Sequence, residues 1–259
     1  MRDFFVSNAC YWAHEFHIDG LRFDTIRAIQ DNSELYIVEE IRNRTLATLP
    51  PQRSFLTIAE DEFNDGDLVR AAELGGRSLD AVYADDFHHQ VMVAVTNHRS
   101  GYYTDYSGTT EDIVRTINDG WYFTGQYSAW RDREVGDRVD DVSAKHFVYC
   151  LENHDQVGNR PAGERLCHLV DASTYRAAST LLLGVPFTPL LFMGQEWAAS
   201  SPFLYFTDFE EDLGERVARG RADFLRRNWG DASWRVGARH PGRGVAPNSC
   251  LSRAVSCWW

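Results

Sequence analysis

Short apolar runs recur along this chain, and three of them end at an acidic residue. They predict five strands, near residues 18 to 23, 55 to 60, 81 to 84, 147 to 152 and 188 to 193. Helix-like patterns lie between the runs, and an alternation of helix and strand predicts a parallel α/β architecture. Because parallel strands end at the same edge, we expect Asp24, Glu60 and Asp155 to converge there.

The first of these acids has a cation two residues before it. In a strand, the side-chain period of two puts Arg22 and Asp24 on the same face. A guanidinium close to a carboxylate favours the ionised form, so Asp24 is expected to be an anion near neutral pH, as a nucleophile requires. A structural ion pair at a strand end is the alternative interpretation of this segment.

The second acid, Glu60, closes an apolar run and begins an acidic cluster that includes Asp61, Glu62 and Asp65. Neighbouring like charges, together with partial burial, raise the pKa of a carboxyl group, and a proton donor at neutral pH needs such a raised pKa. We therefore predict Glu60 as a general acid/base. For Asp61 and Glu62 a solvated loop is the better interpretation.

The third acid belongs to the sequence Asn153-His154-Asp155, which follows an apolar strand and precedes a turn at Gly158. Polar donors and acceptors converge here at the point where the backbone stops pairing. We expect His154 and Asp155 to hold hydroxyl groups of a ligand. Taken alone, a His-Asp pair is more typical of a structural contact, so this prediction depends on its agreement with the other two acids.

With these segments in view, the chain resembles the alpha-amylase superfamily of glycoside hydrolases, whose parallel (β/α)8 barrel carries its catalytic acids at the C-terminal face. The sequence meets three motifs of that superfamily in the right order. They are Gly20, Arg22 and Asp24 for strand four, Glu60 for strand five, and Asn153, His154 and Asp155 for strand seven.

Within the superfamily, the chain is similar to the malto-oligosyltrehalose trehalohydrolase family over most of positions 1 to about 228. The segments that carry this likeness are 58–65, 84–89, 101–106, 125–128, 153–160, 192–197 and 203–208. The resemblance implies a retaining glycosidase of trehalose biosynthesis. Such an enzyme cleaves the α-1,4 bond next to the terminal trehalose of maltooligosyl trehalose and needs no cofactor or metal.

The resemblance also implies roles for individual residues. Asp24 would be the nucleophile, Glu60 the acid/base, and Asp155 the residue that holds hydroxyls of the distorting ring. The residues expected to bind substrate are Arg22, Asp85, Asp86, His88, His89, Asn153, His154, Gln156 and Trp197. The long segment 97–145, rich in Tyr, Gly and Asp, is expected to cross the C-terminal face and shape the cavity, and a structural helical insertion is its alternative.

By this resemblance the five predicted strands correspond to strands four to eight, so we predict a partial TIM (β/α)8 barrel over residues 1–228. Nothing upstream of Asp24 matches the superfamily's first motif, which suggests a fragment without the N-terminal part of the barrel. Open sheet edges would make such a fragment unstable. Residues 229–259 lose hydrophobic periodicity and are predicted to be an irregular tail, disordered or frame-shifted.

Two other functions stay open. A glucan branching enzyme or related transferase would use the same acids but pass the glycosyl group to a sugar hydroxyl. An inactive carbohydrate-binding fragment is the alternative of another class, and the missing motif favours it. We expect the chain on its own to be inactive.

Composition narrows the partners and the compartment. A net charge of -12 disfavours nucleic acid and anionic membranes, whereas a neutral glucan is compatible with it. No apolar run is long enough to span a membrane and the N-terminus lacks a signal-peptide pattern, so we predict a cytoplasmic protein. Five cysteines without paired metal spacing suit reduced thiols rather than a metal site. The oligomeric state is left open.

Overall fold

The computed structural model describes residues 1–229, which alternate between helices and strands. The helices are α1 Arg2–Glu15, α2 Ile37–Thr48, α3 Asp86–Thr96, α4 Thr110–Asp119, α5 His154–Gly158, α6 Leu166–Leu169, α7 Ala172–Gly184 and α8 Glu211–Trp229. The strands are β1 Gly20–Phe23, β2 Leu56–Ala59, β3 Ala81–Tyr83, β4 Gln126–Ser128, β5 Arg133–Val135, β6 Phe147–Cys150 and β7 Thr188–Leu190.

Five of the strands form one parallel sheet in the order β1-β2-β3-β6-β7. The spatial order follows the chain order, and each connection carries helical segments, as in a (β/α) barrel. The sequence therefore predicted all five strands and the partial barrel correctly. The other two strands, β4 and β5, pair as a separate antiparallel hairpin.

Burial is deepest in the middle of the sheet. Every residue of β3 and β6 is buried, whereas β1 is only half-buried and β7 is largely exposed. The Tyr149 ring of β6 stacks between Phe87 and Phe187, with centroids 4.6 and 4.1 Å away. Burying one aromatic side chain of this size contributes about 1.5–3 kcal/mol, so these central strands provide the stable base of the site.

Helix α1 is present as predicted, but it buries a different face. The sequence places Phe5, Ala9, Trp12 and Phe16 at steps of four, three and four, which predicts one buried helix face, yet Phe5 and Phe16 are about half exposed. The buried residues are Val6, Ala9 and Ala13, so Ala9 is buried as predicted and the face is otherwise shifted. Their small side chains allow a close approach to α2, which the larger aromatic rings would prevent.

The segment 97–145 crosses from α3 to β6 and includes α4 and the β4–β5 hairpin. One buried carboxylate, Asp86 at the start of α3, anchors it. Asp86 accepts hydrogen bonds from the backbone N–H groups of Tyr122, at 2.8 Å, and Phe123, at 3.0 Å. The Asn64 side-chain amide, at 2.7 Å, and the Tyr106 hydroxyl also donate to it.

The predicted irregular tail, residues 229–259, lies outside the described residues except at its first position. Trp229 is the last residue of α8, and its ring stacks on His98 with centroids 4.2 Å apart. Among the helices of residues 1–229, none is both long and apolar enough to cross a membrane.

Replacing Asp86 with alanine should lower the free energy of unfolding by about 3 kcal/mol or more, because four donors, three of them in buried contacts, lose this acceptor at once. Chemical denaturation monitored by fluorescence would measure the change. Asp140→Ala, which removes a surface carboxylate paired only with exposed Arg138, is the matched control and should cost about 0.5 kcal/mol or less. Equal losses for the two variants would show that Asp86 is not an anchor.

Candidate active site

One guanidinium joins the three predicted acids at the carboxyl edge of the sheet. Nη1 of Arg22 lies 2.6 Å from Oδ1 of Asp24, and Nη2 lies 2.5 Å from Oε1 of Glu60 and 3.8 Å from Oδ2 of Asp155. The Arg22 group also lies over the Tyr83 ring, 5.2 Å from its centroid. Three side chains from separate parts of the chain thus meet at one cation.

Glu60 is the most enclosed of these acids, with 19% of its side chain exposed, against 75% for Asp24 and 46% for Asp155. Its Oε2 accepts a hydrogen bond from the backbone N–H of Thr25 at 2.7 Å. Burial raises the pKa of Glu60, and the charges of Asp155 and Asp24 add to the rise. The Thr25 N–H and Arg22 act in the opposite direction.

The raised pKa of Glu60 agrees in direction with the sequence analysis, but its causes differ. We expected the adjacent acids of the same loop to supply the repulsion. Asp61 instead is buried and pairs with Arg27 at 2.6 Å, and Asp65 pairs with the same arginine at 3.1 Å. The carboxylates that act on Glu60 are Asp155 of α5 and Asp24, which follows β1. Both are distant from Glu60 in the sequence.

Asp155 is held in place by a capping box at the start of α5. Oδ1 of Asn153 accepts hydrogen bonds from the N–H groups of Asp155, at 2.8 Å, and Gln156, at 3.4 Å. Oε1 of Gln156 accepts the N–H of Asn153 at 2.8 Å in return. Asn153 therefore fixes the turn through backbone hydrogen bonds, which differs from the predicted direct role in substrate binding. Nε2 of the neighbouring His154 lies 3.4 Å from Oδ2 of Asp155.

Glu60 and Asp155 line a cavity of about 310 Å³ above the sheet edge, whereas Asp24 and Arg22 lie beside it and are not among its lining residues. Its residues come from the ends of β1, β2 and β3, from α5 and from the 97–145 segment. They are Thr25, Arg27, Glu60, Asp61, Glu62, Asn64, Asp85, Asp86, His89, Tyr102, Trp130, Arg131, Asp155, Gln156 and Asn159.

The 97–145 segment contributes lining residues that were not among the predicted site residues, namely Tyr102, Trp130 and Arg131. They lie in the segment predicted to cross this face, and its aromatic content was the available signal. The sequence could not show which of its many aromatic rings face the cavity, because a segment without regular periodicity gives no inside and outside. The cavity position of the segment itself is as predicted.

The structure separates the predicted substrate-binding residues of α3. Asp85 and His89 line the cavity. Asp86 borders it, but its carboxylate oxygens are taken up by the protein donors described above. His88 is fully buried, with Nδ1 against the Leu151 carbonyl and Nε2 2.8 Å from the Tyr103 hydroxyl.

The prediction that His88 binds substrate is therefore wrong. Burial lowers its pKa to about 4, so the ring is neutral and serves as a hydrogen-bonded part of the core. Trp197, also predicted to bind substrate, is not among the residues that line the cavity. It lies in the 3-10 helix Gln195–Trp197, and 72% of its surface is exposed.

Residues 1–229 contain no group of three or more His, Cys, Asp or Glu side chains arranged to hold a metal ion. Within that range two arginines contact acidic side chains in and beside the cavity. Arg22 contacts the three central acids, and Arg27 contacts Asp61 and Asp65. The arrangement can bring a proton donor and a carboxylate to the same bond of a neutral ligand.

Comparison with known proteins places these features in a family. No protein-family model matches the chain. It is 40% identical over 222 residues to malto-oligosyltrehalose trehalohydrolase of Saccharolobus solfataricus. This match covers 85% of this chain and 38% of that protein. It is 43% identical over 226 residues to the protein of the same name from Deinococcus radiodurans, covering 85% of this chain and 36% of the relative.

A solved structure supports the same assignment. The crystal structure of a putative alpha amylase from Salmonella typhimurium matches with a TM-score of 0.80 and 32% identity, over 92% of this chain and 42% of that one. The chain thus spans about two-fifths of the length of the proteins it matches. Along that stretch, the resemblance predicted from the motifs is confirmed.

Replacing Arg22 with glutamine should raise the pKa of Glu60 further, because the substitution removes the cation that favours its ionised form. Carboxyl ¹³C NMR titration would follow Glu60, assigned by comparison with Glu60→Gln. Arg27→Gln is the matched control, since Arg27 lines the same cavity but pairs with Asp61 and Asp65. If Arg22→Gln, like the control, leaves the Glu60 titration unchanged, Arg22 is not the cation that favours ionised Glu60.

Proposed function

This chain is a homologue of malto-oligosyltrehalose trehalohydrolases, and we propose that its cavity hydrolyses the α-1,4 bond next to the terminal trehalose of maltooligosyl trehalose. The observation that carries this proposal is the contact of Arg22 with Asp24, Glu60 and Asp155 beside the cavity. These are the residues that match the superfamily's three acidic positions.

The proposed reaction begins with protonated Glu60, which donates its proton to the glycosidic oxygen as the bond to the anomeric carbon breaks. Asp24 attacks that carbon and forms a covalent glycosyl-enzyme while the trehalose leaves. Glu60, now a carboxylate, takes a proton from water, and the water oxygen displaces Asp24. Two displacements retain the α configuration of the shortened oligosaccharide.

The different surroundings of the two acids support their different roles. Burial and neighbouring negative charge raise the pKa of Glu60, which favours a proton donor. Asp24 is largely exposed and contacts Arg22 directly, which suits a carboxylate that must reach an anomeric carbon. Asp155 would hold ring hydroxyls and stabilise the positive charge of the transition state.

The lining of the cavity supports a neutral sugar as the ligand. Trp130 and Tyr102 offer aromatic faces for pyranose rings, and the polar side chains around them can bond hydroxyls. We propose no nucleic-acid or membrane partner for this acidic chain. A cytoplasmic location belongs to the proposal and is supported by the free thiols of Cys10, Cys150 and Cys167.

Incubating the chain with maltotriosyl trehalose and separating the products tests the proposal. Release of free trehalose, with the shortened oligosaccharide appearing first as its α anomer by ¹H NMR, is the result that the proposal requires. It would overturn the expectation, based on the missing motif, that the chain on its own is inactive. Longer or branched glucans without free trehalose would indicate a transferase instead. Binding without any turnover would indicate a carbohydrate-binding fragment and would contradict the proposed hydrolysis by this chain.

Replacing Glu60 with glutamine should lower kcat by at least about a hundredfold, because the amide cannot exchange a proton with the glycosidic oxygen or with water. Substrate affinity, measured by calorimetry, should change little. Glu73→Gln alters an exposed glutamate outside the cavity and is the control for the substitution itself. An unchanged rate in Glu60→Gln would remove Glu60 from the acid/base role.

A further inference from the structure

Asp85 is a fourth carboxyl group at the cavity edge, besides the three that match the superfamily motifs. It follows β3, and β3 lies between β2 and β6 in the sheet. Glu60 follows β2 directly, and Asp155 follows β6 by five residues. The position of Asp85 in the sheet therefore places its side chain between those two acids, where it lines the cavity.

The carboxyl group of Asp85 is not used by the protein itself. Asp85 occupies the residue before α3, where an aspartate normally caps the helix, but its backbone is already helical, with φ -66° and ψ -16°, and its side chain makes no capping hydrogen bond. Among residues 1–229, no hydrogen-bond or ion-pair partner is present for this side chain. Its neighbour Asp86, by contrast, is bound by four donors.

The charges around Asp85 disfavour its ionised form. Glu60, Asp155 and Asp86 face it with negative charge, and Arg22 is the cation that acts on it. Arg22 already contacts Asp24, Glu60 and Asp155, so it cannot offset a fourth carboxylate as well.

The remaining neighbours of Asp85 add no cation. They are Tyr83 of β3, Cys150 of β6, and Tyr102 and Tyr103 of the 97–145 segment. Burial first, and then the acidic neighbours, raise the pKa of Asp85 to about 7. A carboxyl group in this position keeps its proton at neutral pH or below.

We propose that Asp85 binds the sugar directly, as a protonated carboxylic acid that donates a hydrogen bond to a glucan hydroxyl held between Glu60 and Asp155. This inference rests on the proposed function, since it takes an α-glucan as the ligand. A protonated carboxyl group supplies an O–H donor that a carboxylate lacks. It can therefore bond a hydroxyl oxygen without adding a negative charge near Glu60 and Asp155.

The inference fixes the sign of a pH effect on binding. The donor is present below the pKa of Asp85 and is lost as the pH rises through about 7. At one pH unit above that value only about a tenth of the carboxyl group is protonated, so affinity should fall by about tenfold between pH 6 and pH 8.

The test is calorimetric titration of the chain with a maltotriosyl trehalose analogue in which sulfur replaces the oxygen of the scissile bond, so that no turnover occurs. Wild type should show the tenfold fall. Asp85→Asn retains a donor that does not titrate, and its affinity should match wild type at pH 6 and stay level to pH 8. Asp85→Ala should bind about tenfold more weakly than wild type at pH 6.

Asp140→Asn, the same substitution at an exposed aspartate outside the cavity, is the control and should keep the wild-type pH profile. An Asp85→Asn profile that falls as in wild type would overturn the inference, and so would wild-type affinity in Asp85→Ala at pH 6. If wild type does not bind the analogue at any pH, the proposed function fails together with this inference. The Asp85 inference fails alone when wild type binds but these variants behave as it does.

A second measurement reads the proton without a ligand. In carboxyl ¹³C NMR of the free chain, one aspartate resonance absent from Asp85→Asn should titrate near pH 7. If that resonance titrates near the ordinary value for aspartate, about 3.9, Asp85 is ionised at neutral pH and the proposed donor does not exist.

Discussion

The site depends on the charge of one residue, Arg22, which holds Asp24, Glu60 and Asp155 within contact of a single guanidinium. Carboxylates repel one another at such distances, so sharing a half-buried site requires a cation between them or a proton on one of them. The parallel register of β1 and β2 sets this geometry, because it pairs Arg22 with Ile58, two residues before Glu60. Tyr83 beneath the guanidinium adds a cation–π contact that limits its movement.

Around this cation, the surroundings of each carboxyl group give it a different task. Glu60 is enclosed and accepts only one backbone hydrogen bond, so burial dominates its pKa. Asp86, also enclosed, is saturated with donors and becomes a structural anchor. Asp85 is close to both in space, but within the described residues 1–229 it has neither a donor nor a cation of its own. The same functional group therefore serves as acid, anchor or ligand contact according to what surrounds it.

The sequence predicted the strands well because buried parallel strands are continuous apolar runs, and their last residues mark the site. It failed where orientation depends on a tertiary neighbour. The spacing of Phe5, Ala9 and Phe16 suggested one face of α1, but the approach of α2 buries Val6 and Ala13 beside Ala9 and leaves both rings half exposed. Likewise His88 and His89 are adjacent in a polar motif, and only the packing against Leu151 shows that His88 belongs to the core.

The strand that carries Arg22 is the least enclosed of those that form the site, since within residues 1–229 β1 pairs only with β2. Its Leu21 and Phe23, which alternate with Arg22 and so point to the other face, pack against the cluster of Val6, Ala9 and Ile41. Ion pairs from Arg2 to Asp31 and Glu40 hold α1 in this position. Contacts on the outer face of β1 thus fix the guanidinium on its inner face, and a loss of packing at α1 would loosen the carboxylate cluster without altering any residue that touches the cavity.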